Sequence, residues 1–557
     1  MTATTGQGAD TDERQPLLPT KNQGPLEIST KTRYGILLGI WSGTFLASLN
    51  MTLVPTMIPP ISSEFKQSNQ ASWIGTCFLL ATCTFTPLYG RLSNILGRRG
   101  AFQTALIFTA IGTMMCGMAK SMQALIFARF VAGIGGGGIN TVATIIVSDM
   151  YSLRARGLTQ GVASVFNGLG MGLGGPMGGI VTDWLGWRWA FFLQAPFFMI
   201  SFLLTSWNLR YLTPGKGKGI DILKRIDYGG ILALLISVGA CLVFLSEKYN
   251  VILPWSNPRV YLSLSTSIVF LVVFFLNEII WAREPMLAPA LLTQRIPVLV
   301  AASNFCVAMC NFSVTFFFPM YFETVWLTSA SVAGLHLAPN SVSMMMGSLF
   351  AGWMIKRTGT YKTINFIFGL FPFIAAILIR SMLGQRPEDV DWVRSWLSII
   401  PLGFGNAVVL QTMLIALLAH LPTSQMAVGT AFGQLFRGIG QVGGVAIASA
   451  MFQSILDTEL RKRIVDVPDA EHWIVAIRQS ALLVHDLPPN LQVLARASYQ
   501  EALKAVFTFS ACMTGLAYIV RLPVPDKDLD SPRPDSEVVV SGRQDVESET
   551  RGAMTRS

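Results

Sequence analysis

Apolar runs of about 20 residues, nearly free of charge, alternate along this chain with short polar turns. Fourteen runs are centred in 34–56, 71–90, 101–119, 125–148, 159–181, 189–207, 229–246, 260–281, 297–320, 332–355, 363–383, 395–419, 428–453 and 502–521. Their length matches the roughly 30 Å hydrocarbon core of a bilayer, so each predicts a membrane-crossing helix. One longer segment, 454–500, interrupts the rhythm. There the spacing of Ile474, Ile477, Leu482 and Leu483 predicts short amphipathic helices capping an entrance. The tails, 1–32 and 522–557, are polar and predict disorder.

Charge turns this pattern into a topology. Of 557 residues 52% are hydrophobic and 13% charged, about half the charged share of soluble domains. The net charge of +10 lies in the turns, where it sets orientation and gives no sign of nucleic-acid binding. With the N-terminus in the cytosol, the short cytosolic turns hold fifteen Lys and Arg and the opposite ones eight, as the positive-inside rule requires. An even number of crossings places both tails in the cytosol. The N-tail lacks the charged start, apolar core and cleavage site of a signal peptide. The seven cysteines fall within or beside the apolar runs with no metal-ligand or disulfide spacing. They read as packing residues, and no cofactor, metal site or nucleophile–base constellation is expected.

The chain also repeats itself. Gly90 and Gly97 lie seven apart around Arg98 and Arg99, after the second run; Gly352 and Gly359 lie seven apart around Lys356, Arg357 and Lys362, after the tenth. Two six-helix halves, 33–209 and 297–521, put these turns at the same place in each. Two helices in the linker 210–296 are then left over. Parallel halves around a central path suit alternating access.

Four stretches carry a family resemblance. Gly90-Arg91-Leu92-Ser93-Asn94-Ile95-Leu96-Gly97-Arg98-Arg99 resembles the loop motif of the major facilitator superfamily. Arg129 with Gly133 and Gly135–Gly138 resembles the arginine motif of its fourth helix. Gly174-Gly175-Pro176-Met177-Gly178-Gly179 resembles the Gly-Pro motif of its fifth helix, and Leu46–Thr52 the first-helix motif of its fourteen-span drug:proton branch. The stretch Gly334-Leu335-His336 to Val342, with Gly347–Gly352 and Arg357-Thr358-Gly359, is similar to fungal vacuolar basic amino acid transporters. The resemblance implies an all-α membrane fold of two six-helix bundles plus two central helices. It also implies a monomeric secondary transporter that moves amino acids, basic ones among them, across the vacuolar membrane with proton coupling. Two alternatives stand beside this reading: a plasma-membrane exporter of drugs or secondary metabolites, and a nontransporting sensor on a transporter scaffold.

Within that frame the residues sort by chemistry. An intramembrane cation costs roughly 2.5–3.5 kcal/mol on insertion scales, which makes Arg129 and Arg437 candidate substrate ligands. Amides at membrane depth must face protein or water, so Asn50, Asn140, Asn167, Asn311, Asn340, Asn406, Gln411 and Gln434 are expected around a cavity. Gly90, Asn94, Gly97, Arg98, Arg99 and Asp149 are expected at a cytosolic gate, and Gly175, Pro176, Gly178 and Gly179 at a rocking helix interface. Asn50 and Asn94 occupy positions where the resemblance implies acids. A buried carboxylate is the usual proton carrier, which leaves His336 and Asp149 as the proton candidates. In the N-tail, Glu13 with Leu17 and Leu18 resembles an acidic dileucine signal read by cytosolic sorting adaptors.

Overall fold

The computed structural model describes residues 28–54, 57, 61, 64–65, 71–151, 153–209, 227–250, 252–281, 289–328, 330–383, 392–422, 425–465, 469–479, 481–527 and 529. Glu13, Leu17 and Leu18 lie outside them. The described residues form helices joined by short turns, with no strand among them.

The N-terminal half consists of α1 (Thr30–Thr52), α2 (Ala71–Ile95), α3 (Gly97–Met118), α4 (Met122–Met150), α5 (Leu153–Leu185), and a sixth crossing made of α6 (Trp187–Phe192) and α7 (Ala195–Asn208). A separate hairpin follows, α8 (Tyr228–Leu245) and α9 (Pro258–Leu276), each prolonged by a π-helical turn. After the single turn α10 (Pro289–Leu292), the C-terminal half begins with α11 (Arg295–Thr324). Its next three crossings are each built from two pieces: α12 (Ala330–Leu335) with α13 (Ala338–Thr358), α14 (Lys362–Phe368) with α15 (Phe371–Met382), and α16 (Trp392–Leu397) with α17 (Ile400–Ala419). The half ends with α18 (Met426–Arg463), the short α19 (Ala470–Gln479) and α20 (Pro489–Arg521).

The breaks have one cause. Pro196, Pro339, Pro372 and Pro401 each stand at the second residue of the second piece. Proline offers no N–H to the preceding turn and disfavours helical backbone in the residue before it, so the helix restarts there. Eleven crossings, counted among the described residues, are long and apolar enough to span a membrane. The other three helices of crossing length, α2, α5 and α13, have 25, 33 and 21 residues and belong to the same bundles. The fold is thus all-helical and consistent with fourteen crossings.

Two seams join the halves: α5 against α13, and α2 against α18. At the first, a Cβ on Gly352 would run into the Gly157 carbonyl, so only glycine allows the backbones this close. The extra hairpin leans through α8 on the outside of the α2–α18 seam. It is closed by Asn277 Nδ2 donating to both Asp227 carboxylate oxygens at 2.8 Å, and by Ser237 Oγ donating to the Ser267 carbonyl at 2.9 Å. Its second helix leaves Ile268, Val269 and Val272 exposed, a face suited to lipid.

The segment 454–500 differs from a plain loop. Here α18 continues to Arg463 and α20 starts at Pro489, with α19 between them. Ile474 and Ile477 are buried with Val484 and Leu487 in the core of the C-terminal half. The C-terminal tail also differs from a wholly disordered one. Residues 522–527 are laid across the end of the C-terminal half, where the Tyr361 hydroxyl donates to the Pro525 carbonyl at 2.7 Å. Val524 and Leu529 are buried there.

Candidate functional site

Between the halves lies a cavity with about 150 Å3 of room for the centres of water molecules. It is lined from both sides. From α4 come residues between Gly137 and Val147, the last turns before that helix ends at Met150; from α17, residues between Ala407 and Leu417; from α18, residues between Thr430 and Gln441. The cavity therefore lies toward the end of the bundle that carries the basic turns.

Apart from apolar side chains and Arg437, its lining is amides and hydroxyls. Asn140, Asn167, Asn311, Gln411, Gln434 and Arg437 all reach it. The side chains of Asn140, Asn167, Gln434 and Arg437 make no hydrogen bond or ion pair with any described residue. Arg437 is the only charged residue among the described lining, which contains no carboxylate. Gln411 instead bridges the halves: its Nε2 donates to Ser348 Oγ at 2.8 Å and reaches Ser164 Oγ of α5 at 3.4 Å.

Four residues expected around the cavity stand elsewhere. Arg129 is fully buried: Nη2 donates to the Asn50 carbonyl at 3.0 Å and Nε to the Ile74 carbonyl at 3.3 Å. Its guanidinium lies 4.2 Å from the centre of the Phe78 ring. Asn50 donates to Gln194 Oε1 at 2.7 Å and to the Leu46 carbonyl at 3.1 Å. Asn406 stands behind the wall and donates to Asn311 Oδ1 at 3.2 Å. Asn340 is buried at the start of α13, where its carbonyl accepts from Ser343. Arg129, Asn50 and Asn406 are turned into contacts between segments, the alternative to water for a buried polar group in a membrane bundle, whereas the Asn340 side-chain oxygen is buried with no hydrogen-bond partner among the described residues.

The gate residues do come together. Gly97 has φ 75°, a left-handed conformation that favours glycine, and it turns the chain so that Arg98 points at α4. Arg98 Nε donates to Asp149 Oδ2 at 2.7 Å, and Nη1 to Ser93 Oγ at 3.0 Å and Asn94 Oδ1 at 2.8 Å. Asn94 thus keeps a hydrogen bond to the arginine without adding charge, and Asp149 supplies the carboxylate. Gly90 is buried and Arg99 exposed. At the repeated turn Gly359 has φ 71°, the same local conformation, where it caps α13.

The glycine-rich part of α5 divides between two partners. Gly170 and Gly174 face Phe45 and Thr52 of α1 within the half, while Gly157, Gly161 and Gly168 face α13 across the seam. Gly178 is buried; the surroundings of Gly175, Pro176 and Gly179, which the helix runs through, lie outside the described side chains.

His336 stands apart from the cavity, at the other end of the C-terminal half. Its ring is stacked between Phe322 and Trp396, with centroids 3.8 and 4.2 Å away. Nδ1 contacts the Val332 carbonyl at 2.8 Å, and Nε2 is buried without a partner among the described residues. The hydroxyl lining escaped the sequence reading, including Thr44, Thr82, Thr86, Thr144 and Ser164. Serine and threonine are common inside membrane helices because they can bond the carbonyl one turn back, as Thr44 and Thr144 do. Their presence alone marks no site. Gln160, another lining residue, stands one turn after the basic pair at 154–156 and reads as loop-proximal in sequence.

With this geometry in view, the likenesses to known proteins are informative. The family model of the Major Facilitator Superfamily matches residues 40–445. The chain is 34% identical to Multidrug resistance protein fnx1 of Schizosaccharomyces pombe over 90% of its own length and 94% of that protein's. It is 30% identical to Vacuolar basic amino acid transporter 1 of Saccharomyces cerevisiae, covering 81% and 84% of the two chains. The structure of the human organic anion transporter MFSD10 matches it in fold with a TM-score of 0.57 at 15% identity, over 87% of this chain and 100% of that one.

Proposed function

The chain belongs to the major facilitator superfamily, and from that premise we propose that this transporter moves amino acids across the vacuolar membrane by alternating access. The observation that carries the reading is the cavity between the halves, in which Arg437 and three amides have no partner among the described residues. A guanidinium pairs with a carboxylate in a fixed two-pronged geometry, and the amides supply neutral donors and acceptors for the rest of the solute. With no carboxylate in the described lining, an ammonium or a basic side chain meets neutral acceptors only. The α-carboxylate is therefore the anchoring group and the side chain the variable one.

With the basic end in the cytosol, the cavity lies on the side from which cytosolic amino acids load. The likeness to a vacuolar basic amino acid transporter and the Glu13, Leu17 and Leu18 pattern support the vacuolar address. Proton coupling on this scaffold runs through Asp149 at the gate or His336 at the far end. A second reading, export of drugs or secondary metabolites at the plasma membrane, is favoured by the likeness to a multidrug resistance protein.

Uptake of labelled amino acids into vesicles holding the purified protein tests the reading, with and without a protonophore. Saturable uptake that competes with other α-carboxylates is the expected result. No uptake of any amino acid, with flux of a lipophilic cation instead, would favour the exporter. Flux that ignores the protonophore removes proton coupling and leaves the substrate assignment standing.

A further inference from the structure

A second, shallow groove opens at the basic end of the C-terminal half, between α14, α20 and the strap that follows α20. It is lined by Tyr361, Lys362, Asn365, Phe366, Tyr518 and Arg521 among others. Two of the lining residues are cations. Arg521 is buried; its guanidinium donates to the Gly369 carbonyl and lies 5.1 Å from the centre of the Tyr518 ring. Its Nε has no acceptor, and no described carboxylate pairs with it. Lys362 is exposed and makes no hydrogen bond or ion pair with a described residue. The nearest acid on the strap, Asp526, accepts from the Tyr361 backbone N–H at 3.4 Å. A buried guanidinium without a carboxylate partner is costly, and an anion brought beside it offsets that cost.

The surroundings say what kind of anion fits. Beside the groove, Phe366 and Ile519 are 57% and 64% exposed, with Ile367 and Leu522 also exposed. Exposed apolar side chains next to cations form the kind of surface that meets acyl chains and a phosphate headgroup together. We propose that this groove is a binding site for the phosphate of an anionic phospholipid, with Arg521 and Lys362 as its ligands. Tyr361, buried in the groove wall, holds the strap through Pro525. Lipid at this site therefore fastens the C-terminal strap to the second basic turn.

The test uses the full chain in nanodiscs and in detergent, titrated with phosphatidylinositol and with phosphatidylcholine. Phosphatidylinositol should bind preferentially and raise the unfolding midpoint by roughly 2–5 °C. Lys362→Gln should weaken its binding about fivefold, the effect of one surface cation near a membrane. Arg521→Gln should weaken it at least as much. It also removes the bond to Gly369, so Lys362→Gln decides the matter if that variant fails to fold. Lys31→Gln, an exposed lysine at the same end of the other half, should leave binding unchanged. Equal loss in Lys31→Gln and Lys362→Gln, or no preference over phosphatidylcholine, overturns the site. Inorganic phosphate that displaces the lipid at equal affinity would overturn the lipid as its occupant.

Discussion

Arg129 in the N-terminal half and Arg437 in the C-terminal half are both cations inside helix bundles, yet they face opposite surroundings. Arg129 is closed in by two backbone carbonyls and the Phe78 ring. Arg437 looks into the cavity with nothing described paired to it. The basic turns differ in the same way. The first is tied to its own half through Arg98 and Asp149 at 2.7 Å, whereas the second is held by the C-terminal strap through Tyr361. Arg129 is thus bound internally, and Arg437 is left available to a solute. The residue type is the same; the neighbours decide the role.

The contrast breaks most readily at the arginines. Arg437→Gln should cut transport of a carboxylate substrate roughly 100-fold through its KM, since a pair of charge-assisted bonds is lost, with little change in melting temperature. Arg129→Gln should do the reverse: about 1.5–3 kcal/mol of stability lost and an unchanged KM for the protein that remains folded. Uptake and thermal unfolding measured on the same two variants check both, and exchanged phenotypes would sink the comparison.

The seam gives the next effect. Gly352→Val drives side-chain atoms into the Gly157 carbonyl, an overpacking cost of about 1–3 kcal/mol. It should slow turnover roughly tenfold with substrate affinity preserved, which single-turnover uptake can separate. A smaller change is expected from Asn94→Asp. The new carboxylate would take the place of an amide oxygen 2.8 Å from Arg98, adding at most about 1 kcal/mol in so exposed a position. Transport should slow a few-fold at low ionic strength and recover in high salt; no salt dependence would detach Asn94 from the gate.

The smallest effect is at the far end, where each half has an exposed acid paired with an arginine. Glu64 is held below the usual carboxylate range by hydrogen bonds from Arg188 and Trp187, and Glu471 by Arg461. A lowered folded-state pKa contributes stability that is present above the unfolded value near 4.5 and is lost as pH falls through the folded one. Melting curves of Glu64→Gln should therefore match the wild type in an acidic lumen below that range and fall slightly short near neutrality. A variant that is weaker only at low pH would reverse the assignment.

Much of the molecule was legible in the sequence because the bilayer imposes simple demands. Helix length, charge in the turns and the repeated glycine pair follow from hydrocarbon thickness, interfacial electrostatics and backbone sterics. Five of the eight cavity candidates named with the arginines line the wall: Asn140, Asn167 and Gln434 with free amides, Asn311 while accepting from Asn406, and Gln411 as a bridge. Asn50, Asn340 and Asn406 do not. An amide on a membrane helix satisfies the same rule by facing water or by facing another helix, and residue type cannot distinguish the two. The breaks in the C-terminal helices were readable at Pro339, Pro372 and Pro401 but hidden inside unbroken apolar runs.

The sequence by itself determined that this chain is a two-half helical membrane protein, because hydrophobic length and charge act locally and need no partner. Only the tertiary structure decided that Asn94 shares Arg98 with Asp149, that Arg129 is enclosed and Arg437 open, and that the tail begins as a strap. Those outcomes depend on rotation of each helix about its own axis and on which neighbour it meets. Such rotation is set by packing between segments far apart in the chain, at seams such as Gly157 against Gly352.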